Sequence, residues 1–188
     1  MHIPNIISLA RVFLAPVIIW LIISGDLISA FMAFVLAGVS DAIDGFLAKR
    51  FHWQSELGSY LDPLADKFLL VSIFIALGIK GALPSWLAIA VVTRDLLIVI
   101  GVMLAWVLGK PLKMRPFWVS KANTTAQIAL AAVVLADEAF SLNIAPLRSA
   151  FVWTVAVLTV ASLGAYLNIW LKHLAGYETA PGRDGRSK

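Results

Sequence analysis

The sequence predicts an all-α integral membrane protein with six transmembrane helices, and three observations lead to this fold class. Hydrophobic residues make up 61% of the 188-residue chain and charged residues 14%, whereas soluble domains contain about 45–50% and about 25%. The mean hydropathy is +0.90. Apolar stretches of the length that crosses a bilayer, about 20 residues, recur along the chain. A water-soluble domain of this size could not bury so much apolar surface, and the composition is also unlike that of a disordered chain.

Six apolar segments are each long enough to form a spanning helix. The first ends at the turn signal Gly25-Asp26, and the second carries acidic residues near its end. Pro84 suits the first turn of the fourth segment, because a proline there loses no intrahelical hydrogen bond. The fifth and sixth segments are apolar runs that follow a basic and an acidic stretch, respectively. The predicted spans are 6–24, 27–50, 60–79, 84–108, 119–135 and 147–171.

Basic residues collect at one end of the predicted spans, and this asymmetry orients the bundle. Lys80 and Arg148 alone among the loop cations fall at the other end, near three acidic residues. Both termini and the basic loops are therefore expected in the cytoplasm. The net charge of +4 is then interpreted as contact with anionic lipid and not with nucleic acid. The basic end carries Lys49, Arg50, Lys110, Lys113, Arg115, Lys121, Lys172, Arg183, Arg186 and Lys188.

The chain is expected to form one membrane domain over residues 1–175, followed by a polar, disordered cytoplasmic tail over 176–188. Its first residues, Met1-His2-Ile3, lack the positively charged region of a signal peptide, so no cleaved leader is expected. The chain contains no cysteine, which excludes disulfides and thiolate metal sites.

Four aspartates lie at the ends of the second and third predicted helices. Asp41 and Asp44 are three residues apart and Asp62 and Asp66 four apart, so each pair shares a helical face. A single carboxylate in a membrane segment costs at least about 2.5–3.5 kcal/mol, so four require compensation. Nearby basic residues are one source of compensation and divalent cations are the other. Because the two helices are consecutive and antiparallel, the carboxylates can converge near the cytoplasmic surface, where all-oxygen ligands suit Mg²⁺ or Mn²⁺.

Small residues accompany these aspartates. Gly45 follows Asp44 directly, Gly58 precedes Asp62 by four residues, and Ala48 extends the smooth face of Gly45. Glycine within a helix costs about 1 kcal/mol relative to alanine, so its presence requires a reason. Close helix packing is one reason, and a substrate lying against bare backbone is the other.

The stretch from Asp41 to Asp66 resembles the signature of the CDP-alcohol phosphatidyltransferases, Asp-x2-Asp-Gly-x2-Ala-Arg-x8-Gly-x3-Asp-x3-Asp, with every spacing kept. One position departs from it: Lys49 stands where the family usually has arginine. Lysine keeps the charge but loses the bidentate fork that binds phosphate. The six-helix layout extends the resemblance over nearly the whole chain, to the branch of phosphatidylglycerophosphate synthases and single-domain cardiolipin synthases.

The resemblance implies a membrane enzyme that transfers a phosphatidyl group from CDP-diacylglycerol to an alcohol and releases CMP. The four motif aspartates would hold two divalent cations, Mg²⁺ or Mn²⁺, and Asp66 would be the base for the acceptor hydroxyl. The resemblance also implies a homodimer in the bacterial inner membrane, or in the mitochondrial inner membrane, with its active site facing the cytoplasm or matrix. The donor-binding residues would be Asn5, Gly45, Ala48, Lys49, Ser55 and Gly58.

Two cations outside the motif are candidates for binding the acceptor. Arg94 lies within the fourth span, where it either pairs with Asp95 or the acidic cluster, or binds an anionic phosphate of the acceptor. Lys121, at the start of the fifth span, is either a solvated lysine or a second contact for that phosphate. The stretch 120–127 resembles the cardiolipin synthase version of the family, so phosphatidylglycerol is slightly favoured as acceptor over glycerol 3-phosphate.

A cation transporter or channel is the alternative from another functional class, because intramembrane acids also line ion pathways. The four aspartates, however, fall at one membrane face. The opposite half of the second and third spans is apolar, and no continuous polar route is visible.

Overall fold

The structure is a computed structural model. It describes the backbone of residues 3–51, 56–107 and 118–178, and the side chains of residues 12–43, 67–101, 103–104 and 118–168. Over the described backbone the chain forms six α-helices and no strand, which confirms the all-helical prediction. The helices are α1 Ile3–Ser24, α2 Leu27–Phe51, α3 Glu56–Ile79, α4 Ser85–Val107, α5 Trp118–Phe140 and α6 Ala145–Glu178.

Each predicted span corresponds to one helix, and the largest differences in length are in α3, α5 and α6. α3 begins four residues earlier, α5 ends five residues later, and α6 continues to Glu178. The additional residues at the end of α5 include Asp137 and Glu138, which end an apolar run without ending a helix. Residues 176–178 of the predicted tail are thus helical, and residues 179–188 lie outside the described part of the chain.

Short turns connect the helices where the described backbone is continuous. Gly25 ends α1 with a φ of 89°, a left-handed conformation that glycine adopts without strain. The Asp26 carboxylate then accepts a hydrogen bond from the Ser29 amide at 3.2 Å and so caps the start of α2. Pro84 lies one residue before α4, and its carbonyl oxygen accepts from the Leu87 amide at 2.9 Å. Pro84 therefore caps α4, whereas the sequence predicted it within the first turn.

The helices close into a ring in the order α1, α2, α5, α6, α4, α3, and α3 also contacts α5 across it. The interior is filled by apolar side chains, of which Ile18, Phe74 and Leu130 have no exposed surface. Consecutive helices are not always neighbours: α1 packs on both α2 and α3, and α4 closes the ring by packing on α6. This order places α5 and α6 around the same interior as α3 and α4.

Large apolar side chains also cover the outside of the bundle. Trp20, Ile89 and Val160 are each about two-thirds exposed, at 66%, 65% and 71%. Among the residues with described side chains, two stretches are long and apolar enough to cross a membrane, Trp118–Phe140 and Ala145–Asn168, and three shorter apolar helices accompany them. Soluble monomers rarely expose apolar surface on this scale, whereas a surface facing lipid does so without cost. Six membrane crossings remain a prediction.

Gly78 lies where α3 packs closely against α4. A Cβ atom at this position would lie 3.1 Å from the Cβ of Ala88, whereas a Cβ at Gly164 would meet nothing within 4 Å. We expect Gly78→Leu to lower the melting temperature of the detergent-solubilised protein, since overpacking a filled interface costs about 1–3 kcal/mol. Gly164→Leu is the matched control and should leave it unchanged or higher. Equal effects of the two substitutions would contradict this packing.

Candidate active site

The predicted metal motif occupies the end of α2 and the start of α3. Both helices are continuous through their aspartate pairs, so Asp41 and Asp44 lie on one side of α2, and Asp62 and Asp66 on one side of α3. Asp41 is the motif aspartate whose side chain is described, and convergence of the four carboxylates remains a prediction. The other predicted motif and donor residues lie outside the described side chains: Asn5, Asp44, Gly45, Ala48, Lys49, Ser55, Gly58, Asp62 and Asp66.

Asp41 lines a cavity of about 120 Å³ between α2, α3 and α5. Its polar lining residues are Asp41, Lys67 and Thr124, one from each helix. Along each helix the apolar lining residues follow on the side away from the cytoplasmic end predicted from the sequence. The cavity therefore has a charged end and an apolar end, with the apolar walls formed by Phe34, Ala37, Gly38, Leu69, Leu70 and Ile128.

A buried ion-pair network lies beside this cavity. Asp95 is 4% exposed. Its Oδ1 atom accepts a hydrogen bond from the Arg94 guanidinium at 2.5 Å and lies 3.0 Å from the Lys67 ammonium. Lys67 belongs to α3, directly after the predicted base Asp66, whereas Arg94 and Asp95 belong to α4. The network therefore joins the middle of α3 to α4.

Arg94 also joins α4 to α5 and α6. Its guanidinium donates to the Ser120 hydroxyl at 2.7 Å and twice to the Ser162 hydroxyl, at 2.5 and 3.1 Å. It lies 5.8 Å from the ring centre of Tyr166 and has no exposed surface. Of the two interpretations left open for Arg94, pairing with Asp95 is the one this geometry supports.

Lys121, the other candidate for acceptor binding, is exposed at the start of α5. Its ammonium lies 5.9 Å from the ring centre of Trp118. The side chain next to it in sequence, Ser120, is the one that Arg94 contacts. The structure thus brings the Arg94 guanidinium to the start of α5, with Lys121 on the outer side and Arg94 inside.

A layer of buried amides continues inward from Arg94. Asn123 and Gln127 are fully buried, and the Thr159 hydroxyl donates to the side-chain oxygen Oδ1 of Asn123 at 3.2 Å. Within the described part of the chain, Asn123 Nδ2 and both polar atoms of the Gln127 amide have no hydrogen-bond partner. The interior of the bundle is therefore polar one to two turns along α5 from Ser120, the residue of α5 that Arg94 contacts.

Sequence analysis missed several residues of this region. Lys67 is one of several basic residues near the aspartates in sequence, and no motif singles out Thr159, Ser162 or Tyr166. Thr159 and Ser162 are polar residues three apart in an otherwise apolar span, a spacing that places them on one helical face. That spacing is the signal that could have indicated a polar face on α6.

The far end of the bundle is held by a separate cluster. The Arg148 guanidinium lies 3.0 Å from Glu138 and 3.4 Å from Asp137, and it also donates to the Ala82 carbonyl oxygen. These contacts join α6, α5 and the α3–α4 turn. Asp137 and Glu138 therefore each have a cationic partner there.

Among the described side chains, no group of three or more histidine, cysteine or acidic residues could hold a metal ion. Asp41 supplies a single hard oxygen donor at the charged end of the cavity. The remaining predicted ligands are also carboxylates, on α2 and α3, and an all-oxygen set suits Mg²⁺ or Mn²⁺. The donor chemistry therefore fits the predicted cations, although their coordination lies outside the described side chains.

Comparison with known proteins gives consistent results. A sequence model of the CDP-alcohol phosphatidyltransferase family matches residues 1–161. CDP-diacylglycerol–glycerol-3-phosphate 3-phosphatidyltransferase 1, chloroplastic, of Oryza sativa subsp. japonica is 36% identical over 88% of this chain and 56% of its own length. Cardiolipin synthase (CMP-forming) of Homo sapiens is 34% identical over 74% of this chain and 52% of its own length. The chain thus spans about half of these two relatives.

A bacterial relative matches along nearly its full length. CDP-diacylglycerol–glycerol-3-phosphate 3-phosphatidyltransferase of Escherichia coli (strain K12) is 33% identical over 89% of this chain and 93% of its own length. Relatives thus include both glycerol-3-phosphate 3-phosphatidyltransferases and cardiolipin synthases.

Ser162→Ala should destabilise the protein, because it leaves two N–H groups of a buried guanidinium unsatisfied. The expected loss is about 1–3 kcal/mol of unfolding free energy, measured by thermal unfolding in detergent micelles. Ser149→Ala, at an exposed position of the same helix, is the matched control and should have little effect. A melting temperature for Ser162→Ala equal to that of the control would contradict the described role of Ser162.

Proposed function

The chain belongs to the CDP-alcohol phosphatidyltransferase family, and on that premise we propose that it transfers the phosphatidyl group of CDP-diacylglycerol to a glycerol-containing acceptor, releasing CMP. The observation that carries the proposal is the family match over residues 1–161, which includes the whole stretch from Asp41 to Asp66. Family membership confirms the resemblance found in that motif. It also argues against the cation transporter considered as the alternative class.

The proposed setting is a bilayer crossed by all six helices, with both termini and the active site on the cytoplasmic side. Two helices of sufficient length and hydropathy and the apolar outer surface support a membrane location. The excess of basic residues in the loops of one side supports the orientation. By family resemblance, the protein is proposed to be a homodimer in the bacterial inner membrane or, in a eukaryote, in the mitochondrial inner membrane with its active site facing the matrix.

The cavity between α2, α3 and α5 suits the lipid donor. Its apolar end, lined by Phe34, Leu70 and Ile128, offers the kind of surface that an acyl chain covers, and its charged end carries Asp41. We propose that the diphosphate lies at the charged end. The residues proposed to contact the CDP-linked headgroup are Asn5, Gly45, Ala48, Lys49, Ser55 and Gly58.

The proposed chemistry needs positioning and neutralisation of charge more than covalent catalysis. Asp41, Asp44, Asp62 and Asp66 would hold two divalent cations, which neutralise the diphosphate and stabilise CMP as a leaving group. Lys49 holds a donor phosphate. Asp66 accepts the proton of the acceptor hydroxyl, whose oxygen forms the new bond to phosphorus as the bond to CMP breaks.

The acceptor is proposed to carry a phosphate. Lys121 is exposed and can contact this phosphate directly, while Arg94 adds a buried positive charge behind Ser120. Phosphatidylglycerol is slightly favoured by the resemblance of residues 120–127 to cardiolipin synthases. Glycerol 3-phosphate is the second candidate, because the bacterial relative that matches over 93% of its length uses it by name.

A panel of acceptors tests the proposed activity. The purified full chain with CDP-diacylglycerol and Mn²⁺ should release CMP when phosphatidylglycerol is added, with cardiolipin as the lipid product by mass spectrometry. Release with glycerol 3-phosphate alone would select the second candidate. No CMP release with either acceptor, from protein that remains folded and monodisperse, would contradict the proposed reaction.

Variants within the motif separate the proposed roles. Asp66→Asn keeps the shape of the side chain but removes the base, so single-turnover transfer should fall by orders of magnitude while CDP-diacylglycerol still binds. Lys49→Ala should mainly raise KM, because a held phosphate contributes equally to the ground and transition states. Lys49→Arg should be tolerated, since arginine is usual there in the family.

Donor binding and single-turnover rates measured for each variant check this assignment. An Asp66→Asn protein that lost donor binding but kept its transfer rate at saturation would show that the roles are wrong.

A further inference from the structure

We propose that Asp95 is a positioning residue: it holds the Lys67 ammonium away from the motif aspartates and thereby sets the affinity of the site for divalent cations. The inference rests on the metal site of the proposed function and goes beyond it, because it assigns a task to two residues outside the motif. It is carried by the ion pair between α3 and α4 and by the place of Lys67 in the wall of the cavity.

Lys67 is placed where it could compete with a metal. It follows Asp66 directly in sequence, and its side chain lines the same cavity as Asp41. A cation in that position is attracted to the same carboxylates as Mg²⁺ or Mn²⁺. Any ion pair that Lys67 formed with them would have to be broken before a divalent cation could bind.

Asp95 supplies Lys67 with a different partner. Its Oδ1 lies 3.0 Å from the Lys67 ammonium, and the Lys67 side chain is 33% exposed against 5% for Asp95. The carboxylate is thus fixed in the interior, while the lysine reaches it from the cavity. In this arrangement the ammonium is oriented towards α4, and its charge is partly neutralised before a metal arrives.

Support of Arg94 does not explain the contact with Lys67. Arg94 already reaches Asp95 Oδ1 at 2.5 Å and donates to Ser120 and Ser162. The pair Arg94–Asp95 is therefore neutral without Lys67, and adding the lysine gives the network one cation more than it has anions. If Asp95 served only to neutralise Arg94, it would not need a contact with Lys67. A role in holding Lys67 accounts for that contact.

Binding of Mn²⁺ to the purified full-length protein, measured from the free-Mn²⁺ signal in electron paramagnetic resonance, tests the proposal without reference to activity. Asp95→Asn keeps the size of the side chain but removes its charge, so Lys67 is released and the dissociation constant for Mn²⁺ should rise about tenfold or more. Asp95→Asn combined with Lys67→Gln should return it to the wild-type range, because the competing ammonium is gone.

Asp137→Asn is the matched control, since it also removes a carboxylate that faces an arginine, 3.4 Å away at the far end of the bundle. It should leave Mn²⁺ affinity unchanged. Lys67→Gln alone should bind Mn²⁺ at least as tightly as the wild type, and this variant carries the test if Asp95→Asn does not fold. A tenfold loss of affinity in Lys67→Gln would overturn the proposal.

Two outcomes separate this inference from the proposed function. In the first, the wild-type protein binds Mn²⁺, but the dissociation constant of Asp95→Asn is unchanged, or that of the double variant is as high as that of Asp95→Asn. This outcome would overturn the role of Asp95 and leave the metal site in place. Wild-type protein that binds no Mn²⁺ would overturn the metal site and this inference with it.

Discussion

The arrangement of four of the six helices depends on one buried guanidinium. Arg94 has no exposed surface, and its hydrogen bonds and ion pair are supplied by Asp95 of its own helix, Ser120 of α5 and Ser162 of α6. Lys67 attaches α3 to the same carboxylate. Breaking such a buried pair by removing one partner costs about 3–5 kcal/mol. The charge therefore dictates which faces of α3, α4, α5 and α6 turn inward.

The same constraint supports the proposal that the motif aspartates are metal ligands. Carboxylates near an apolar interior need cations, and the structure commits the nearest described cations elsewhere: Lys67 to Asp95 and Arg94 to Asp95 and two serines. Four aspartates near an apolar interior would only destabilise a protein whose helices had no catalytic role. A phosphatidyltransferase needs such residues, because the diphosphate of its substrate carries charge that must be neutralised during transfer. The polar and apolar ends of the cavity beside Asp41 match the two halves of such a lipid.

The sequence predicted the helices well because hydropathy reports lipid-facing and core-facing side chains alike. It failed at helix ends, as at Asp137 and Glu138, where a polar residue ends an apolar run but not the helical backbone. The sequence left two interpretations open for Arg94. Its hydrogen bond to Ser162 joins residues 68 positions apart in sequence, and no local pattern can indicate a contact across such a separation. The motif spacing did indicate the family, while the geometry of Asp44, Asp62 and Asp66 remains a prediction because their side chains lie outside the described residues.

The central claim is that charges in this apolar bundle are compensated internally around Arg94 and by divalent cations at the motif. Anomalous scattering from crystals of the protein grown with Mn²⁺ tests it most directly. The account predicts two Mn²⁺ peaks between the end of α2 and the start of α3, within coordination distance of the Asp41 carboxylate, and none beside Asp95. Peaks confined to other parts of the surface, or a lysine or arginine occupying the motif carboxylates in place of Mn²⁺, would contradict it.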